Sequence, residues 1–264
     1  MLGFIGTGNM ATAIIKGIVS SGVLKGEQIA VFDILKEKSE ELSSLYGVKV
    51  LSSENDVAKS CDTVVLSIKP VVFEPVLTKI GEDLKANDPL IISIAAGKDL
   101  AFIQSFLPYE AKVVRVMPNI NALVGAAISA YCGSGRVSEE DFEFTDKLCA
   151  SFGRAIKIDE KLFSIYGVIG GCSPAFAYMF IDSMARAAVK EGMPKDMALE
   201  ICAASVLGSA KLILESDEHP WALVDKVCSP GGTTIEGVAS LQKDGLESTV
   251  ANAVEAAYLK DKKM

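Results

Sequence analysis

The sequence predicts an α/β fold, an N-terminal doubly wound parallel sheet followed by an all-α domain. Three observations predict it. The chain opens on a short apolar run, a Gly-x-Gly-x-x-Ala turn and a helical pattern that lasts to about Ser20. Short apolar runs then alternate with helical patterns to about residue 158, as strands covered on both faces do. After about Asp159 the strand patterns stop and alanine-rich helical patterns take over. The expected domains are 1–158 and 159–264.

Each element has its own signal. Residues 1–5 are an apolar strand, and from Asn9 the residues Met10, Ala13, Ile14, Gly17 and Ile18 fall on one side of a helix. Residues 29–33 form the second strand and 37–46 a helix that Gly47 stops. A short strand at 48–51, a brief helix at 55–59 and a strand at 63–68 follow. Pro70 and Pro75 punctuate the entry to the next helix. Residues 90–94 are a strand ending at Ala95-Ala96-Gly97, with further strands at 112–117 and 126–131 and a helix at 141–152. Right-handed crossovers between such parallel strands give the doubly wound form.

The second half reads as helices. Residues 162–191 form one long apolar helix, interrupted at Gly170-Gly171-Cys172-Ser173-Pro174, where the proline should kink it. Helices at 194–215, 221–227, 233–243 and 246–262 follow. A helix apolar most of the way round must be buried. This half alone has too little chain to hide that surface, so a homodimer through it is expected, with packing on the chain's own first half as the alternative.

Composition narrows the partners. The 264 residues carry a net charge of −8, which argues against nucleic acid, whose phosphates need a basic surface. No run of about 18 uncharged apolar residues is evident, so no membrane span is expected. The chain starts on a strand without a signal-sequence pattern, and the expectation is a soluble, cytoplasmic protein. The six cysteines are scattered, and His219 is the only histidine. Reduced, packed thiols are expected rather than a zinc site.

The opening turn carries the first chemistry. Gly6 permits the tight turn, Gly8 lets a pyrophosphate approach the backbone, and Ala11 lets the helix pack on the strand. Gly6-Thr7-Gly8-Asn9-Met10-Ala11 is thus the expected cradle for a dinucleotide, with the helix dipole favouring its phosphates. Asp33 closes the second strand, where a carboxylate bonds the ribose 2′-OH of NAD and repels the 2′-phosphate of NADP; a helix cap is the alternative. Lys36 and Lys38 lie just beyond it. Ser67-Ile68-Lys69-Pro70 and Ala95-Ala96-Gly97 follow strand ends, where ligands of open parallel sheets bind.

The second half holds Ser229-Pro230-Gly231-Gly232-Thr233-Thr234, with Glu236 at capping-box spacing from Thr233. Backbone N–H groups exposed by its glycines at a helix start favour an anion such as a carboxylate. A capped turn that binds nothing is the alternative. His219, beside Pro220, reads as a helix-start residue rather than a catalyst.

These residues resemble pyrroline-5-carboxylate reductases over nearly the whole chain. The resemblance rests on Gly3 to Met10, Ile68-Lys69-Pro70, Ser93 to Gly97, Arg115-Val116-Met117-Pro118-Asn119, Ser173-Pro174-Ala175, Gly208-Ser209-Ala210-Lys211, His219-Pro220 and Asp225 to Ile235. It implies a Rossmann domain followed by a helical dimerisation domain, with dimers often assembling into decamers. It implies reduction of 1-pyrroline-5-carboxylate to L-proline by NADPH or NADH, the last step of proline synthesis. It also implies that the fingerprint loop, Asn55, the Ile68-Lys69-Pro70 loop and Ala95-Ala96 line the cofactor. Ser229, Gly231, Gly232 and Thr233 would take the substrate carboxylate, and Thr234 would lie near the imine nitrogen as the catalytic contact. Two positions depart from the family pattern. Ile120-Asn121 stands where Thr-Pro is usual, and Asp33 stands where NADPH-preferring members carry small or hydroxyl residues.

The lack of a His/Asp or metal constellation suits this chemistry, because a protonated imine is already electrophilic and the cofactor carries the hydride. Two other readings share the fold. A 2-hydroxyacid-type dehydrogenase would need a lysine or histidine to handle the alcohol proton. A dinucleotide-sensing module would have no use for the second anion site.

Overall fold

The computed structural model describes residues 1–263; Met264, the last residue of the expected second domain, lies outside the described residues. By packing, the described residues form two compact units, Met1–Gly171 and Cys172–Lys263.

Among the described residues, the first unit holds a sheet of eight strands in the order β3-β2-β1-β4-β5-β6-β7-β8. These are β1 Leu2–Ile5, β2 Ile29–Phe32, β3 Lys49–Val50, β4 Thr63–Leu66, β5 Leu90–Ser93, β6 Val113–Met117, β7 Ala127–Gly133 and β8 Gly153–Lys157. The helices between them are α1 Asn9–Ser20, α2 Lys36–Tyr46, α3 Glu54–Ser60, α4 Phe73–Asn87, α5 Leu100–Gln104 and α6 Glu139–Ala150. Side chains alternate along each strand, so Phe4 and Val65 join one apolar cluster while Ile5, Val64 and Leu66 join the other. Helices cover both faces; α1 supplies Ile15 and Ile18 to the first cluster, and α4 supplies Phe73 and Leu77 to the second. Each such fully buried side chain stabilises the fold by about 1.5–3 kcal/mol.

Three features differ from the sequence expectation. β7 runs antiparallel to β6, and β8 runs parallel to β7. Residues 118–126 are too few for the crossover that a parallel pair needs, which takes about a dozen or more. β8 has no counterpart in the sequence pattern, because Gly153-Arg154-Ala155-Ile156-Lys157 is an edge strand with little apolar signal. α5 likewise lies outside the expected elements; it is one short turn capped by Asp99, whose carboxylate accepts from Phe102 N at 2.7 Å.

The first unit ends in α7 Phe163–Tyr166 and a π-helical turn, Gly167–Cys172, that runs into the next unit. Phe163 and Tyr166 pack with Ala130 and Cys132 of β7. The break in the long apolar helix is thus this π turn and not a proline kink. Pro174 sits in the first turn of the following helix, where a missing N–H costs nothing.

The second unit is helical: α8 Ser173–Lys190, α9 Lys195–Glu215, α10 Pro220–Val227, α11 Thr233–Lys243 and α12 Leu246–Asp261. α8 packs on α9, and α11 on α12. Among its described residues only Pro174, Ala185 and Ala198 are buried. Large apolar side chains such as Ile201, Leu207 and Leu212 stand exposed on α9. By length and composition alone, Glu160–Lys190 and Lys195–Glu215 are apolar enough to cross a membrane. That corrects the expectation of no membrane-length run. Residues 162–181 carry no charge, and their serines, glycines and proline hid the run from a count of apolar residues.

Candidate active site

The carboxyl ends of β1, β2, β4 and β5 share one edge. Ile5 pairs with Phe32 and with Leu66, and Leu66 pairs with Ser93. The residues that follow, Gly6, Asp33, Ser67 and Ile94, therefore leave the sheet side by side. This register gathers most of the expected cofactor residues.

Gly6 has φ +94°, and a Cβ there would come within 2.4 Å of Ser67 O. Only glycine satisfies both the backbone angle and this close approach. Gly6 N donates to Phe32 O at 2.8 Å and Ser67 N to Ile5 O at 2.9 Å, which locks the three loops together. Gly8 differs. Its φ of −70° suits any residue, and a Cβ there would meet nothing within 4 Å. The space above it is open. Gly8 is also the N-cap of α1, with no side chain capping the helix and no acid in its first turn. The N–H groups at Asn9, Met10 and Ala11 thus open a helix end with no anion of the protein on it, and Ala11 itself is buried against the sheet. These features fit a pyrophosphate.

Thr7 is buried, and its N and Oγ1 both donate to Asp33 Oδ2, at 2.7 and 3.0 Å. Leu35 N donates to Asp33 Oδ1 at 2.9 Å. Asp33 is thus a tie between two loops. Burial raises its pKa, but the hydrogen bonds from Leu35 and Thr7 and the charge of Lys38 outweigh this and hold the carboxyl below its ordinary range. Oδ2 already accepts two of these bonds, and Oδ1, which accepts one, keeps a further lone pair for a ribose hydroxyl. Beside it lies a cleft of about 940 Å³, lined among others by Asp33, Ile34, Lys36, Ser39 and Ser52. Sequence spacing gave no sign of this cleft. Lys36 Nζ is paired with Glu40 at 2.8 Å.

Ile68 and Pro70 are half-buried and Lys69 is exposed, opening the turn that leads into α4. Ala95 is buried and Ala96 exposed in the loop after β5. Asn55, in the first turn of α3, donates its amide to Asp83 of α4 at 2.6 Å, a contact within the helical layer. Arg115, unassigned by sequence reasoning, is buried on β6 and paired with Glu160.

In the second unit, Ser229–Gly232 joins α10 to α11. Gly231 has φ +67°, and Gly232 N donates to Ser229 O at 3.0 Å. Gly232 is the N-cap of α11, with no side-chain cap. The capping box expected from Thr233 and Glu236 therefore does not form. Gly231 turns the chain one residue early, and Thr233 is already the first helical residue. Ser229, Thr233 and Thr234 are exposed at this bare helix end. His219 Nδ1 accepts from Trp221 N at 3.3 Å and caps α10.

Comparison with known proteins decides the family. The pyrroline-5-carboxylate reductase of Escherichia coli (strain K12) is 38% identical over 263 residues, covering 100% of this chain and 97% of that protein. The chain belongs to the pyrroline-5-carboxylate reductase family. A family model described as pyrroline-5-carboxylate reductase dimerisation matches residues 160–264, and one described as NADP oxidoreductase, coenzyme F420-dependent, matches residues 1–97. The Pisum sativum reductase is 39% identical, with 100% of this chain and 95% of that protein covered. A crystal structure of the Plasmodium falciparum reductase with NADP bound superposes with a TM-score of 0.86 at 33% identity, covering 99% of this chain and 97% of that one. The helical half of this reductase is a self-association region, which accounts for the apolar surface of α9. Thr7 with Asp33, and Arg115 with Glu160, are the structural contacts that spacing alone could not supply.

Proposed function

We propose that this reductase converts 1-pyrroline-5-carboxylate to L-proline with hydride from NADPH or NADH, the last step of proline synthesis. The observation that carries the reading is the bare N-terminus of α11, offered by Ser229, Gly231, Gly232, Thr233 and Thr234 in a chain whose first unit offers an open phosphate cradle. The functional division we place at 158/159, with the dinucleotide on 1–158 and the substrate on 159–264.

Gly6 to Ala11 hold the pyrophosphate through backbone N–H groups and the α1 dipole. Asp33 takes the ribose, and Asn55, Ser67 to Pro70 and Ala95-Ala96 line the rest of the dinucleotide. When bound, the reduced nicotinamide supplies the hydride. The α11 N-terminus holds the substrate carboxylate, and Thr234 orients the imine nitrogen. The C=N carbon gains the hydride and the nitrogen keeps its proton, so imine, reduced cofactor and one proton give the cyclic amine and oxidised cofactor. The protein supplies position, and the iminium charge supplies the activation.

The assembly we read as a homodimer that associates further, to a decamer, through the apolar helical faces. Its dimerisation match supports covering those faces with a second copy rather than with lipid. The acidic balance supports a cytoplasmic enzyme without nucleic-acid partners.

The test mixes purified protein with 1-pyrroline-5-carboxylate and follows loss of reduced-nicotinamide absorbance, with NADH and NADPH in parallel and Thr234→Ala beside the native chain. We expect L-proline from the native chain and a drop in kcat of about ten- to a hundredfold in the variant. Folded protein that consumes neither cofactor would end the reading, and full turnover in Thr234→Ala would remove that residue from it.

A further inference from the structure

A charge pair is tied to the loop after β5. Arg115 Nη1 lies 3.4 Å from Glu160 Oε1, and its guanidinium stacks 4.3 Å over the Phe163 ring. The same Glu160 oxygen accepts a hydrogen bond from Leu100 N at 2.8 Å. Leu100 is the first residue of α5 and ends the loop that carries Ala95 and Ala96. At the other end of that loop, Ser93 pairs with Arg115 across the β5–β6 ladder. One arginine is therefore tied to both ends of the loop, to one through the sheet and to the other through Glu160.

The pair is a poor device for stability. Arg115 Nε is buried without a hydrogen-bond partner, which is a cost left unrecovered. Arg115 is buried but Glu160 is half-buried, and an ion pair partly open to solvent gains little. What it does supply is direction, because a single carboxylate oxygen fixes where the backbone at Leu100 sits. Glu160 is also the first residue of the dimerisation match, though it packs within the first unit beside Arg115 and Leu100.

We propose that Arg115 and Glu160 are positioning residues, which hold the Ala95-Ala96 loop in the conformation that receives the dinucleotide. The proposal rests on the reading that this loop lines the cofactor. It is tested with full-length Glu160→Ala, Glu160→Gln, Leu100→Pro and Ala96→Trp, by NADPH titration, steady-state kinetics and thermal melting. Glutamine keeps an oxygen for Leu100 N. Proline removes that donor at the first position of a helix, where it is tolerated. Glu160→Ala and Leu100→Pro should each raise the NADPH Kd and KM about tenfold with kcat at saturation little changed, and Glu160→Gln should restore most of the affinity. A stabilising role alone would lower the melting temperature and leave the Kd in place. An unchanged Kd in Glu160→Ala and Leu100→Pro overturns the proposal, as does equal loss in Gln and Ala. Ala96→Trp separates the two levels. If it weakens NADPH while Glu160→Ala does not, the clamp alone is wrong; if it leaves NADPH binding untouched, the cofactor reading of the loop falls and the clamp with it.

Discussion

Asp33 holds the fingerprint loop with the same carboxylate that would meet the ribose. Its pKa is depressed, so the order it confers is fully present above the ordinary value of 3.8 and is lost as pH falls through the lower, folded value. Near neutral pH it is a fixed negative charge at the mouth of the cleft. A 2′-phosphate placed beside it meets repulsion that Lys36, already paired with Glu40, does little to offset. Asp33→Ala should therefore move the ratio of kcat/KM for NADPH over NADH upward by about five- to tenfold, while lowering both values through the loosened Thr7 loop. An unmoved ratio, measured with both cofactors, would make Asp33 a loop tie and nothing more. Its position could be read from spacing, because the second strand ends there. Its partners could not, since Thr7 lies 26 residues away and reaches it only through the β1–β2 register.

At the scale of elements, the π turn Gly167–Cys172 is fastened rather than loose. Tyr166 Oη donates toward Met117 O (3.0 Å) and Ile128 O (2.8 Å), and Asn119 Nδ2 donates to Gly170 O at 2.8 Å. Burial pushes the Tyr166 phenol up to about 12, so it stays a donor across the working pH range. Tyr166→Phe leaves two carbonyls without this donor. We expect about 1–2 kcal/mol of lost stability, read as a fall in melting temperature of about 3–6 °C; an unchanged melt would show that water replaces the hydroxyl. The central strands were legible to within a residue or two because they are apolar on both faces. β8 was not, because an edge strand shows only one apolar face. Nor was the direction of β7, which depends on how much chain the β6–β7 link contains. The Ser229–Thr234 turn at a helix start was recognisable from its glycines, yet the capping box it advertised is absent, because Gly231 changes which residue enters the helix.

Over the whole molecule the two halves are stabilised differently. The first unit buries its own strands and helices, and its fold class could be read from alternation alone. The second leaves Leu207, Leu212 and Leu214 of α9 exposed on the single chain. Each large apolar side chain covered by a second copy contributes about 1.5–3 kcal/mol. A carboxylate in that face has no partner to meet it, so Leu207→Glu should shift sedimentation toward smaller species and reduce specific activity at low protein concentration. Unchanged sedimentation would place Leu207 outside the covered face. The apolar all-round pattern of these helices announced self-association from sequence, whereas the number of copies is written in the geometry between chains and has no periodic signal.

Exposed α9 also bears on heredity. A substitution that weakens the covered face acts through an equilibrium between chains, and mass action opposes it as the chains become abundant. A lesion in the proposed phosphate cradle has no such remedy. Extra gene copies should therefore rescue growth without proline for lesions in α9 and leave lesions at Gly6 or Gly8 uncured.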